Sequence, residues 1–149
     1  MNYPKDLEKL ISYFQKLPGI GEKSAERLAI ATLDFSDEEI VEFSEAIESA
    51  KKNLTRCSIC GHLTDHEICN ICSDENRNKN VICVIEDYKS IFSFEKSGTF
   101  NGTYHVLNGL ISPMDDIGPE DINLSSLVSR VEALDHPELI LALKPTVEG

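Results

Sequence analysis

The chain has 149 residues, 41% of them hydrophobic, no tryptophan, and a formal net charge of −12 from 14 basic and 26 acidic side chains. That length supports one or two small domains with a real core, and the acidic balance excludes a nonspecific basic coat for nucleic acid. No apolar run approaches a membrane span, and the opening Met1-Asn2-Tyr3-Pro4-Lys5-Asp6 lacks the apolar centre of a signal peptide, so the expected compartment is a reducing cytoplasm without membrane contact.

The charge is uneven. Residues 1–33 carry five basic and four acidic side chains, residues 34–54 two and seven, and residues 81–149 four and eleven. Only the first segment lacks an acidic excess. It begins with a helix over 5–16, in which Leu7, Leu10, Ile11 and Phe14 form one apolar stripe that Pro18 and Gly19 terminate. A second helix follows over 22–33, with Ala25, Leu28, Ala29 and Thr32 expected inside. Helix, Leu17-Pro18-Gly19-Ile20-Gly21, helix is a helix-hairpin-helix pattern. Gly19 and Gly21 are expected to supply backbone geometries closed to other residues. The turn would leave free N–H groups at the start of the second helix, where the helix dipole favours a phosphate oxygen. Lys23 and Arg27, four apart, share the helix face beside it and can add charge-assisted contacts. The candidate DNA-binding residues are therefore Gly19, Ile20, Gly21, Lys23 and Arg27, acting on phosphates without reading bases. The plainer alternative is an αα-hairpin whose turn serves only packing.

Ser36 and Glu39 form a capping box for a third helix, with a stripe of Ile40, Phe43, Ile47, Ala50 and Leu54 and an outer face of glutamates. Next come Cys57-Ser58-Ile59-Cys60, eight residues, and Cys69-Asn70-Ile71-Cys72. Two Cys-x-x-Cys pairs this close can bring four thiolates to one point, a closed tetrahedral Zn²⁺ site with no position for substrate. A disulfide pair is disfavoured without a secretory segment, and His62 and His66 are spare donors that a filled shell does not need. Residues 74–80 are polar and read as a linker.

The pattern then changes. Val81–Ile85 is a continuous apolar run of strand length containing Cys83, with Glu86 and Asp87 at its end. A helix over 88–96, a strand over 104–107, a loop over 112–121 rich in Pro, Gly and Asp, a helix over 124–134 and a strand over 138–143 complete a β-α-β-α-β series. That series favours a parallel sheet with right-handed crossovers. The chain stops soon after the last strand, an odd place to end, which points to a shortened sheet with an unpaired edge.

The order of these segments resembles the RecR family of bacterial recombination mediators over the whole chain. The resemblance is carried by Leu17–Ala29, Cys57–Arg77, Tyr104–Gly109, Ile111–Pro113 and Gly118–Ile122. It implies an α+β multi-domain protein: a helix-hairpin-helix domain at 1–54, a four-cysteine zinc finger at 55–76, and a Toprim domain with a parallel sheet at 77–149, incomplete at its C-terminus. Members of that family act with RecO and RecF to help load RecA onto single-stranded DNA at gaps, and they form ring-like homo-oligomers. By the same resemblance Lys23 and Arg27 match the basic hairpin positions, and Cys57, Cys60, Cys69 and Cys72 match the zinc ligands. Glu148 falls in a stretch that contacts partners. Glu86 and Asp87 are a polar strand end or a further partner contact. Lys144 is a departure, standing where the family more often has a small amide.

Catalytic Toprim domains hold Mg²⁺ with a glutamate after the first strand and an Asp-x-Asp pair after the third. Glu86 occupies the first position, but the later turn reads Lys144-Pro145-Thr146, and no P-loop is present. The expectation is a non-catalytic, DNA-binding recombination mediator with one structural zinc. The alternatives are a Toprim-type metal-dependent nuclease or primase-like enzyme, and a zinc-ribbon adaptor in which the hairpin only packs.

Overall fold

The computed structural model describes residues 2–149. They divide into two compact units, residues 2–52 and 53–149.

The first unit is helical. Helices α1 (Lys5–Gln15) and α2 (Glu22–Thr32) pack through Ile11, Ala25 and Ala29, which are buried. Two alanines on α2 let the backbones approach closely, and Leu7, Leu10, Phe14 and Ile20 close around them. Leu28, expected inside, is instead exposed. Helix α3 (Asp37–Asn53) starts at the expected capping box: the Ser36 amide donates to Glu39 Oε2 at 2.8 Å and the Glu39 amide to Ser36 Oγ at 3.1 Å. Its stripe, however, buries nothing: Ile40, Phe43 and Ile47 are all exposed. With α1 they wall an apolar groove of about 570 Å³ that also includes Leu10, Tyr13 and Phe14.

The second unit contains a two-stranded antiparallel ribbon, β1 (Thr55–Arg56) with β2 (Leu63–Thr64), a single-turn helix α4 (Asn70–Ser73), and a three-stranded parallel sheet. The sheet order is β4 (Thr103–Val106), β3 (Val81–Ile85), β5 (Glu138–Leu141). Helix α5 (Lys89–Ser97) joins β3 to β4 and buries Ile91 against Cys83 and Ile85. Helix α6 (Leu124–Ala133) leads to β5 and buries Leu127 against Ile82 and Val84. The alternating residues of β3 thus feed opposite layers, which is why the run is apolar throughout.

The sheet's two edges differ. Strand β4 is wholly buried, and its outward backbone groups are taken: the Val106 amide donates to Cys60 O at 2.7 Å, Asn123 Nδ2 to Val106 O at 3.1 Å, and Arg130 Nη1 to Tyr104 O at 2.6 Å. Strand β5 is exposed at all four residues and pairs only with β3, an open edge as expected.

Residues 74–80 are not a free linker. Arg77 reaches Glu95 of α5 with two bonds, Nη1 to Oε1 at 3.1 Å and Nη2 to Oε2 at 2.5 Å, and also donates to the carbonyls of Phe100 and Gly102. Tyr104 Oη donates to the same Glu95 carboxylate at 2.6 Å. The stretch reads as a linker because polarity alone does not distinguish solvation from a part-buried ionic anchor.

Candidate metal centre and nucleic-acid interface

The β1–β2 ribbon exists to present Cys57 and Cys60. The Cys57 amide donates to His62 O at 2.7 Å, and the Gly61 amide to Cys57 O at 2.9 Å, so the chain reverses immediately after Cys60. Gly61 has φ +81°, a conformation that favours glycine, and a Cβ there would press on Val106 Cβ at 3.2 Å. Cys69 caps α4, and Cys72 lies within it. Backbone amides point at three sulfurs: His62 N at Cys60 Sγ (3.3 Å), Cys69 N at Cys57 Sγ (3.3 Å) and Cys72 N at Cys69 Sγ (3.4 Å).

All four sulfurs lie within 4.8 Å of one another and all four cysteines are buried. Cys60 Sγ and Cys69 Sγ are 3.6 Å apart. A tetrahedron with metal–sulfur bonds of about 2.3 Å has edges of about 3.8 Å, so the donor set fits zinc. The charge pattern agrees. Hydrogen bonds from Cys60 and then Cys72 hold the Cys69 thiol far below its ordinary value, while the bond to Cys69 pushes Cys60 up. Four sulfurs in one buried site cannot all ionise without a cation. His62 is buried against the Phe92 ring at 5.1 Å, and His66 is exposed beside Asp65; neither joins the cluster. Cys83 is a buried strand residue of β3.

The hairpin lies in the other unit. Gly19 has φ +80° and needs glycine. Gly21 does not: its φ of −80° and ψ of 174° are ordinary extended backbone, and a Cβ would meet nothing within 4 Å. Gly21 is the N-cap of α2 and offers no side-chain cap, so the first amides of that helix are left open. Ile20 turns inward onto the α1–α2 core, which fixes the loop. Lys23 and Arg27 are exposed, and no ion pair engages either among the described residues. The arrangement can accept a phosphate at the helix start with two cations alongside.

Glu86, Asp87 and Glu148 lie toward the carboxyl end of the parallel sheet. Glu86 Oε1 is 3.6 Å from Lys144 Nζ. Asp87 Oδ1 accepts the Lys89 amide at 2.9 Å and starts α5. Glu148 is exposed and borders a shallow crevice with Glu86, Asp115 and Lys144. The structure thus brings Glu86, Lys144 and Glu148 to one edge. The Arg77–Glu95–Tyr104 anchor was not foreseen; the only hint was a lone arginine in a run of Asn and acidic residues.

Three family models match in succession. Residues 7–51 match the RecR helix-hairpin-helix, residues 54–74 the RecR zinc finger domain with four cysteine ligands, and residues 80–149 the Toprim domain. Among curated relatives, the recombination protein RecR of Staphylococcus aureus strain JH9 is 51% identical over 149 residues, covering 100% of this chain and 75% of the relative. The same protein from strains N315 and MRSA252 matches to the same extent.

Proposed function

Because the chain belongs to the RecR family and is a recombination protein with a four-cysteine site for one Zn²⁺, we propose that it is a non-catalytic mediator that binds DNA phosphates through its hairpin. One observation carries this reading: open amides at the start of α2 beside exposed, unengaged Lys23 and Arg27, in the only segment without an acidic excess. In this proposal RecO- and RecF-like proteins are the partners, contacted through Glu86, Asp87 and Glu148, and the outcome is loading of RecA on gapped or single-stranded DNA. The setting is the cytoplasm, at the nucleoid; no helix among the described residues is long and apolar enough to cross a membrane. The Lys144 ammonium beside Glu86 argues against the Toprim-enzyme alternative, since a tethered cation stands where Mg²⁺ would need oxygen ligands.

Fluorescence anisotropy with two unrelated DNA sequences tests the reading. Changing Lys23 and Arg27 together to Ala should weaken binding about tenfold and equally for both sequences. It should also lower the magnitude of the log–log salt slope by about 2, one for each lost phosphate contact. Zinc content and unfolding should not move, because both side chains are exposed. Undiminished binding would place the DNA surface elsewhere.

The apolar groove of the first unit supports the homo-oligomer. An α3 stripe with no buried residue, beside a groove it walls itself, suits a second copy related by a twofold axis, each stripe filling the other's groove. Ile47→Asp should weaken self-association by about tenfold or more in sedimentation equilibrium, by placing a charge in that seam. The α1–α2 core, which does not include Ile47, should keep its helicity. A monomeric wild-type chain at high micromolar concentration would count against the interface.

A further inference from the structure

All three strands of the parallel sheet finish at a crevice of about 770 Å³. Its walls are Glu86 and Asp87 after β3, Asn108 after β4, Lys144 after β5, and Arg56 from β1. The two crossovers leave this edge toward opposite faces, α5 to one and α6 to the other. A crevice outside the carboxyl ends of parallel strands, where the connections diverge in this way, is where open α/β sheets take ligands.

We propose that this crevice binds the phosphate monoester of a nucleotide, at a site separate from the hairpin and independent of it. Charge comes first. Within the crevice three cations, Arg56, Lys89 and Lys144, face two carboxylates, in a chain whose formal charge is −12; Glu148 and Asp115 line the adjoining crevice that shares Glu86 and Lys144. Both carboxylates are already engaged. Glu86 has Lys144 at 3.6 Å and its side chain is only 20% exposed. Asp87 accepts the Lys89 amide and has Lys89 Nζ at 4.0 Å.

Each ammonium carries three donors and meets one carboxylate, so both lysines keep donors for a ligand. The Arg56 guanidinium lies over the Tyr88 ring at 3.9 Å and gives one N–H to Gly61 O at 3.3 Å. Stacking and that bond fix its plane, and the rest of the fork is presented as a preorganised oxyanion partner. Among the described residues, no hydrogen bond engages the Tyr88 and Ser90 hydroxyls or the Asn108 amide, which line the same space. Open acceptors remain on Glu86, Asp87 and Asn108, but the three cations hold more free N–H donors than these and leave one net positive charge in the crevice, so the complementary ligand is an anion rich in acceptors. The first amides of α5 take no part: Lys89 N is held by Asp87 Oδ1 and Ser90 N by Asp87 O. A crevice of this volume holds a mononucleotide, and the second negative charge of a monoester distinguishes it from the phosphodiesters of an uninterrupted strand. A free nucleotide and the phosphorylated end of a strand present the same group.

The test titrates the full, zinc-loaded chain with thymidine 5′-monophosphate, inorganic phosphate and thymidine, followed by backbone amide shifts. The monophosphate should shift the amides of Tyr88, Lys89, Ser90 and Asn108 saturably, inorganic phosphate should shift the same set more weakly, and thymidine should not. Lys89→Gln with Lys144→Gln should weaken the monophosphate about tenfold or more; both side chains are mostly exposed, so the fold should tolerate the change. Lys23→Ala with Arg27→Ala should leave it unaltered, which separates this site from the hairpin. Comparing 5′-phosphorylated with 5′-hydroxyl oligonucleotides then assigns the source: tighter binding of the former identifies a strand end, and equal binding identifies the free nucleotide. No saturable shift at these amides, equal shifts from thymidine, or indifference to the double lysine change would overturn the proposal.

Discussion

Cys60→Ser is expected to empty the metal site and unfold the second unit. Metal analysis of the reduced wild-type chain should give one zinc per chain, and the variant should give almost none. Structural zinc contributes about 10–16 kcal/mol of apparent binding free energy in small Cys-rich lobes at pH 7. A domain's whole stability is about 5–15 kcal/mol, so the loss cannot be absorbed locally. Cys60 is also tied to the sheet through its backbone: its carbonyl accepts the Val106 amide, and Gly61 beside it packs on Val106. Releasing this knuckle therefore frees a backbone group of β4 as well as a ligand. Circular dichroism should show α1 and α2 helicity retained, because their core of Ile11, Ala25 and Ala29 lies wholly in the first unit. A strong chelator should reproduce the variant, and more readily at mildly acidic pH, since the thiols must be deprotonated to bind. Full cooperative unfolding of a zinc-free second unit would refute this account.

Arg77→Ala should cost about 3 kcal/mol, the second-largest effect. It removes two bonds to Glu95 and strips donors from the carbonyls of Phe100 and Gly102, leaving a part-buried carboxylate with only Tyr104. The side chains are 15% and 28% exposed, so solvent compensates only partly. Arg77→Lys should recover a minority of the loss, because an ammonium cannot make the parallel pair of bonds. The pH dependence identifies the partner. Arg77 hydrogen bonds hold the Glu95 carboxyl below the usual carboxylate range, against the opposing effect of burial and with help from Tyr104. A carboxyl lowered in the folded state stabilises fully above its unfolded value, about 4.3, and that contribution disappears as pH falls through the lowered folded value. Urea midpoints of wild type and Arg77→Ala should therefore differ most at neutral pH and converge on acidification below about pH 4. A pH-independent gap would mean that the carbonyl contacts, not Glu95, dominate.

The residues that could be read from the sequence were those whose pattern has one physical meaning. A double Cys-x-x-Cys has few uses besides a metal, and its four sulfurs do converge. The apolar run Val81–Ile85 had to be covered on both faces, and it is the central strand. Patterns with two meanings misled. Periodicity marks the apolar face of α3 but not what covers it, and here Phe35 and α1 flank it without burying any residue of the stripe. A glycine can be required for its φ or tolerated for its size; Gly19 is the first kind and Gly21 the second. Long-range polar contacts leave almost no local trace. Arg77 with Glu95 is one, and His105 is another: it is fully buried in β4, takes a bond from Arg130 at Nδ1 and faces the Asn123 carbonyl through Nε2.

The unequal edges of the parallel sheet have a consequence for growth. Cys60, Asn123 and Arg130 close the β4 side with groups that are not strands, whereas the β5 side offers free backbone at Leu139 and Leu141. A sheet with a single reactive end has a valence of one. Any further strand, whether from a longer chain or a second molecule, has only the β5 side to join, so growth of this sheet is directional and the β4 side stays closed.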